Sequence, residues 1–108
     1  MNVVWTRRAL VQLDEIGGYV ARESPEAAER VLTQLIDAGE SLYSGPWRGR
    51  RVPESEQDDV RELTLGKYRV IYQVDPGVLR IVSVVHGARL YSTIRNAPAL
   101  AAPSRIES

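Results

Sequence analysis

A chain of 108 residues with 14 basic and 14 acidic side chains has the length of one domain and no net charge. Its hydrophobic share of 44% suffices for one core and argues against disorder. The absence of cysteine excludes disulfides, thiolate nucleophiles and zinc–thiolate sites.

No apolar run approaches the roughly 20 residues that span a bilayer. Met1 to Arg7 shows no basic segment followed by an apolar one, so no signal peptide is expected. The expectation is a cytoplasmic protein with no membrane partner. The charge is nonetheless polarised. Residues 1–45 hold four Arg against seven acids, and residues 46–108 hold ten basic residues against seven acids. All the basic residues but Lys67 are Arg, which suits bidentate contact with carboxylate or phosphate. Such polarity suits an acidic partner.

Asn2 to Trp5 is β-branched and aromatic and reads as a strand. Thr6 can cap a helix whose apolar stripe is Leu10, Leu13, Ile16 and Val20. Gly17-Gly18 interrupts that helix and suggests a bend or a close helix contact. Ser24-Pro25-Glu26 restarts a second helix, with Ser as N-cap and Pro in the first turn. Ala28, Val31, Leu32, Leu35, Ala38, Gly39 and Leu42 give it an apolar face, and the short link makes an antiparallel hairpin. Gly45 to Gly49 ends the helical region, with Trp47 expected as a plug over the hairpin.

Arg50-Arg51-Val52 reads as a short edge strand and Glu54 to Asp59 as an acidic loop. Three β-rich runs follow, Val60–Leu65, Tyr68–Val74 and Val78–His86. Gly66-Lys67 and Asp75-Pro76-Gly77 are the turns, so the runs form an antiparallel meander. Ala88 to Asn96 reads as a last short strand or helical turn, and Ala97 to Ser108 as a mobile tail, leaving residues 1–96 as the single domain. The fold class is α+β. Tyr68, Val70, Tyr72 and Val74 share one face, expected to pack under the hairpin. Arg69, Ile71 and Gln73 share the other, expected to be open to solvent or a ligand.

No phosphate-binding glycine loop, dinucleotide fingerprint or nucleophile elbow is present. A single histidine with no carboxylate cluster implies no metal and no cofactor. What remains is a dispersed polar set, Arg61, Lys67, Arg69, His86, Arg89 and Tyr91. Arg and Lys can hold phosphates, His86 can transfer protons near neutral pH, and Tyr91 can stack on a base. Each also has a structural reading. Arg61-Glu62 fits a surface ion pair, Lys67 a solvated turn, and His86 a structural hydrogen bond at a strand end. Arg69 stands out, because a charge in mid-sheet needs a partner or a use.

The order of strand, helix hairpin with Ser24-Pro25-Glu26-Ala27-Ala28, then "VRELTLGKYRVIYQV" and "VVHGARL", closely resembles the RelE/ParE superfamily of bacterial type II toxins. The resemblance covers roughly Val3 to Tyr91. It implies a toxin neutralised by a cognate antitoxin in a hetero-oligomer. RelE-like members cleave mRNA on the ribosome, and ParE-like members poison DNA gyrase without being nucleases. In the RelE-like case, Arg69 matches the sheet arginine that would hold the scissile phosphate. His86 or Tyr91 would act in acid–base steps, and Arg89 would stabilise charge. In the binding case, Arg61, Lys67, Arg69, Gln73, His86 and Arg89 would contact target or partner. The basic segment before Arg69 is thinner than in RelE-like enzymes, and the hairpin followed by "HGAR" is more ParE-like. Gyrase inhibition is therefore the preferred expectation, ahead of ribosome-dependent cleavage and of a degenerate, non-toxic partner-binding module.

Overall fold

The computed structural model describes residues 2–53 and 55–87. The boundary at residue 96, the element expected over 88–96, the tail, Arg89 and Tyr91 lie outside them. Strand β1 (Asn2–Trp5) leads to helices α1 (Arg7–Ala21) and α2 (Pro25–Ser41). A short 3-10 turn over Leu42–Ser44 follows, then strands β2 (Arg50–Arg51), β3 (Val60–Leu65), β4 (Tyr68–Asp75) and β5 (Val78–His86). The sheet order is β1-β5-β4-β3-β2, with β1 parallel to β5 and every other pairing antiparallel. This is the α+β architecture expected, two helices on a mainly antiparallel sheet.

Both helix starts follow from their caps. The hydroxyl of Thr6 accepts from the Ala9 N–H at 3.2 Å, and that of Ser24 from the Ala27 N–H at 3.1 Å. Tight hairpins need positive φ, and glycines supply it at Gly66 (59°) and Gly77 (77°). The helix-side core joins Leu13, Leu35 and Leu42 to Tyr68, Val70, Tyr72, Val74, Leu79 and Ile81. The alternation of β4 thus gave the correct inner face.

Several expectations are corrected. Helix α1 runs unbroken through Gly17-Gly18. Gly17 serves the close contact, since a Cβ there would lie 2.8 Å from Leu32, whereas Gly18 faces open space. The stripe of α1 is rotated from the expected one. Ala9, Leu13 and Gly17 are buried, and Leu10 is exposed. The second face of the sheet is not open. Ile71 is fully buried there with Val52, Val60, Val82 and Val85. Trp47 is no plug, being 54% exposed.

One irregularity docks the helix hairpin. Ile71 pairs with Ser83 while Tyr72 pairs with Ile81, so Val82 is an extra residue in β5. A bulge leaves backbone groups out of the ladder. Here α1 and its cap take them. The Val82 carbonyl accepts from the Thr6 hydroxyl at 3.2 Å. The side-chain oxygen of Gln12 accepts from the Val84 N–H at 2.8 Å and the Ser83 hydroxyl at 2.9 Å. Gln12→Leu should strand both donors and cost about 1–3 kcal/mol in denaturant unfolding. An unchanged midpoint would show that water replaces the amide there.

Candidate functional site

The polar residues singled out in the sequence separate into three places. Lys67 and His86 meet at one end of the sheet. They line a cleft of about 390 Å³ with Gln12, Glu15, Ile16 and Tyr19 of α1 and with Tyr68, Val84 and Val85. The β3–β4 turn presents Lys67, and the last residue of β5 presents His86. The His86 ring stands edge-on to Tyr68, with centroids 6.1 Å apart and planes at 74°. This geometry follows from register, because Tyr68 and His86 are paired across β4 and β5. Across the hairpin, Lys67 and Tyr68 also line a groove of about 500 Å³ with Val31, Gln34, Leu35 and Asp37 of α2. Among the described residues no group of three or more His, Cys, Asp or Glu is placed to hold a metal.

Arg69 lies on the opposite face and is 7% exposed. Its Nε donates to Glu62 Oε1 at 2.7 Å, and its Nη2 lies 2.5 Å from the same oxygen. Arg50 donates from Nε to Glu62 Oε2 at 2.5 Å. Glu62 itself is 1% exposed. One buried carboxylate therefore binds two guanidiniums, one inside and one at the surface. The expected Arg61–Glu62 surface pair does not form, because the two neighbours on β3 point to opposite faces. Gln73 is separate again, donating to Asp59 at 3.2 Å.

Arg61 sits at the far end of β3, where its Nε donates to the Asp58 carbonyl at 2.9 Å and its Nη1 to the Gly49 carbonyl at 3.3 Å. Its guanidinium lies 4.9 Å from the centroid of Trp47. Beneath this corner, the Gly49 N–H donates to the Tyr72 hydroxyl at 2.8 Å. Burial pushes the Tyr72 phenol above its ordinary value of 10.0, against opposing effects from the Gly49 N–H and from Arg61 and Arg48.

Sequence reading missed Glu62 as the carboxylate that fixes Arg69, and missed Gln12, Glu15 and Tyr19 as cleft residues. Glu62 was reachable from register. It alternates with Val60 and Thr64, and Thr64 stands opposite Arg69. The α1 residues carry no such signal, because contact with β5 is decided by helix docking.

Two helices on a five-stranded sheet with a parallel N-terminal strand define the fold of the RelE/ParE toxins. The model of the family described as ParE toxin of type II toxin–antitoxin system, parDE, matches residues 3–91, and the chain belongs to that family. It is 40% identical over 90 residues to "Toxin RelE2" of Caulobacter vibrioides, covering 82% of this chain and 98% of that one. It is 37% identical over 87 residues to "Putative toxin Y4kP" of Sinorhizobium fredii, covering 79% and 86%. Among solved structures it resembles a chain of the chromosomal ParDE system of P. aeruginosa, with TM-score 0.67, 28% identity and 80% and 95% coverage. A chain of the RelBE2 toxin–antitoxin complex of Mycobacterium tuberculosis shares the fold, with TM-score 0.60, 22% identity and 82% and 92% coverage.

Proposed function

We propose that this toxin is neutralised by a cognate antitoxin and acts on DNA gyrase by binding, not by cutting RNA. The observation that carries the second half is the placement of Arg69. A phosphate-holding arginine needs its guanidinium available in the site, and this one is committed to buried Glu62 on the face opposite the helices. Lys67 and His86 share a cleft that Arg69 does not line. A cleft of mixed polarity beside an exposed helix suits protein docking. Tyr19 of α1, which lines the cleft, is 67% exposed and gives it an aromatic edge fit for an antitoxin segment. The family description and the ParDE relative support the antitoxin.

The test is induction of the chain without antitoxin, followed by assay of the purified protein. The expected outcome is an SOS response, with loss of supercoiling by gyrase and intact ribosome-bound mRNA. Lys67→Ala and His86→Ala provide the discriminating variants. Both side chains are exposed, so each substitution should alter stability by no more than about 0.5 kcal/mol. Prompt translation arrest with mRNA cuts that vanish in His86→Ala would establish the nuclease reading instead. Absence of growth arrest would favour a non-toxic partner-binding module.

A further inference from the structure

We propose that the free edge of β1 joins a second copy of this chain, so that two sheets continue into one another across a twofold axis at Val4. Among the described residues β1 is the outer strand, paired on one side alone, in parallel with β5. The Asn2 N–H donates to the Gly77 carbonyl at 3.2 Å, and the Thr6 N–H to the Ile81 carbonyl at 3.0 Å. Backbone groups alternate along a strand. Asn2, Val4 and Thr6 therefore turn theirs to β5, and Val3 and Trp5 turn theirs outward. Free edges are commonly blunted by a charge, a proline or a bulge. Asn2-Val3-Val4-Trp5 carries none of these.

The edge is self-complementary. In an antiparallel ladder, two residues whose groups face each other exchange two hydrogen bonds. One register sets Val3 opposite Trp5 of the second copy and Trp5 opposite Val3. It uses both outward residues of the strand in each copy and forms four bonds. It also places the two Val4 residues opposite each other on the axis. Registers centred on Val3 or on Trp5 form two bonds from within the strand.

The side chains agree with that register. Val3 and Trp5 both lie on the helix side, packed against its core. Each Trp5 therefore meets a Val3 across the seam, an aromatic–β-branched pair of the kind that stabilises sheets. The indole is fixed, its Nε1 donating to Glu40 Oε2 at 2.7 Å. Ile36, four residues before Glu40, and Tyr43, three after it, continue the same face of α2 and the turn that follows. They are 41% and 61% exposed. A foreign strand would find the same two outward residues but bring no such flank. A second copy brings both the strand and the flank.

The seam lies apart from the cleft. Strand β1 pairs with Val78 to Ile81, whereas the cleft touches β5 at Val84, Val85 and His86. The dimer presents two clefts, and its test contains neither gyrase, ribosome nor antitoxin. Sedimentation equilibrium of the full chain should show the mass of one chain rising toward that of two with concentration. Val3→Pro should weaken the dimer at least about tenfold and leave the fold intact, because the lost N–H points outward and two of the four bonds go with it. The chain has no cysteine, so one introduced thiol reports the register. Facing residues of a non-hydrogen-bonded pair stand about 4.5 Å apart at Cα, within reach of a disulfide. Under mild oxidation Val4→Cys should cross-link at least about tenfold faster than Asn2→Cys. Random collision gives the opposite order, because Asn2 is exposed and Val4 is half-buried. The proposal is overturned by a chain that stays monomeric at every concentration, even one whose β1 accepts an antitoxin strand. Equal dimerisation in Val3→Pro also overturns it, as does cross-linking of Asn2→Cys as fast as of Val4→Cys. If Val3→Pro fails to fold, the order of the two cross-linking rates decides alone.

Discussion

Glu62→Ala should destabilise the fold by about 3–5 kcal/mol, the usual cost of removing one partner from a buried ion pair. Domains of this size have only about 5–15 kcal/mol of net stability, so urea unfolding should show a large loss. The cause is local. Without the carboxylate, the Arg69 guanidinium loses its two contacts to Oε1 in an environment where it is 7% exposed. Arg50 is 67% exposed in its side chain and can turn to water, so it adds little to the cost. A double variant, Glu62→Leu with Arg69→Met, removes both charges and should recover most of the loss. A cost below about 1 kcal/mol for Glu62→Ala would show that Glu62 is not what holds Arg69 in the fold. The same measurement bears on function, because an Arg69 that separates readily from Glu62 would be available to hold a phosphate.

Tyr72→Ala should cost about 3–5 kcal/mol, as for other large aromatic truncations in a core. The side chain is fully buried between the helix-side core and the Gly49 loop. Tyr72→Phe separates the two contributions. It keeps the packing and strands the Gly49 N–H, costing about 1–3 kcal/mol. The phenol also predicts a pH dependence. Its folded-state pKa is raised, mainly by burial, above the ordinary 10.0. The native state therefore retains its proton where the unfolded chain has released it. The contribution is fully present below about pH 10 and is lost as pH rises through the folded pKa. Stability measured upward from pH 9 should fall in the wild type, and more shallowly in Tyr72→Phe. Equal slopes in the two proteins would show that Tyr72 is not the group involved.

The two variants also connect the fold to its surfaces. Tyr72 holds the loop that presents Trp47, and Glu62 decides whether Arg69 is a structural or a functional cation. The cleft depends on neither. Its Lys67 and His86 sit at the opposite end of β3 and β5, so the two ends of the sheet can be altered independently.

Local chemistry in the sequence already determined most of the elements. Thr6 and Ser24 are the helix caps, Gly66 and Gly77 sit where turns require positive φ, and β3 and β5 span the β-rich runs read on either side of those turns. The resemblance carried by Val60 to Arg89 led to the toxin family, because that stretch holds both the turns and the inward tyrosines. Alternation, however, assigns a side chain to a face and is silent about what covers that face. Ile71 and Arg69 therefore read as open and are buried. Trp47 read as buried because it is large and apolar, but its loop is pinned by Gly49 against the sheet edge and leaves the ring outside. Gln12 and Val84 are 72 residues apart, and only the bulge at Val82 brings them together. The tertiary structure alone decided these contacts, because each depends on register and docking between segments that the sequence lists far apart.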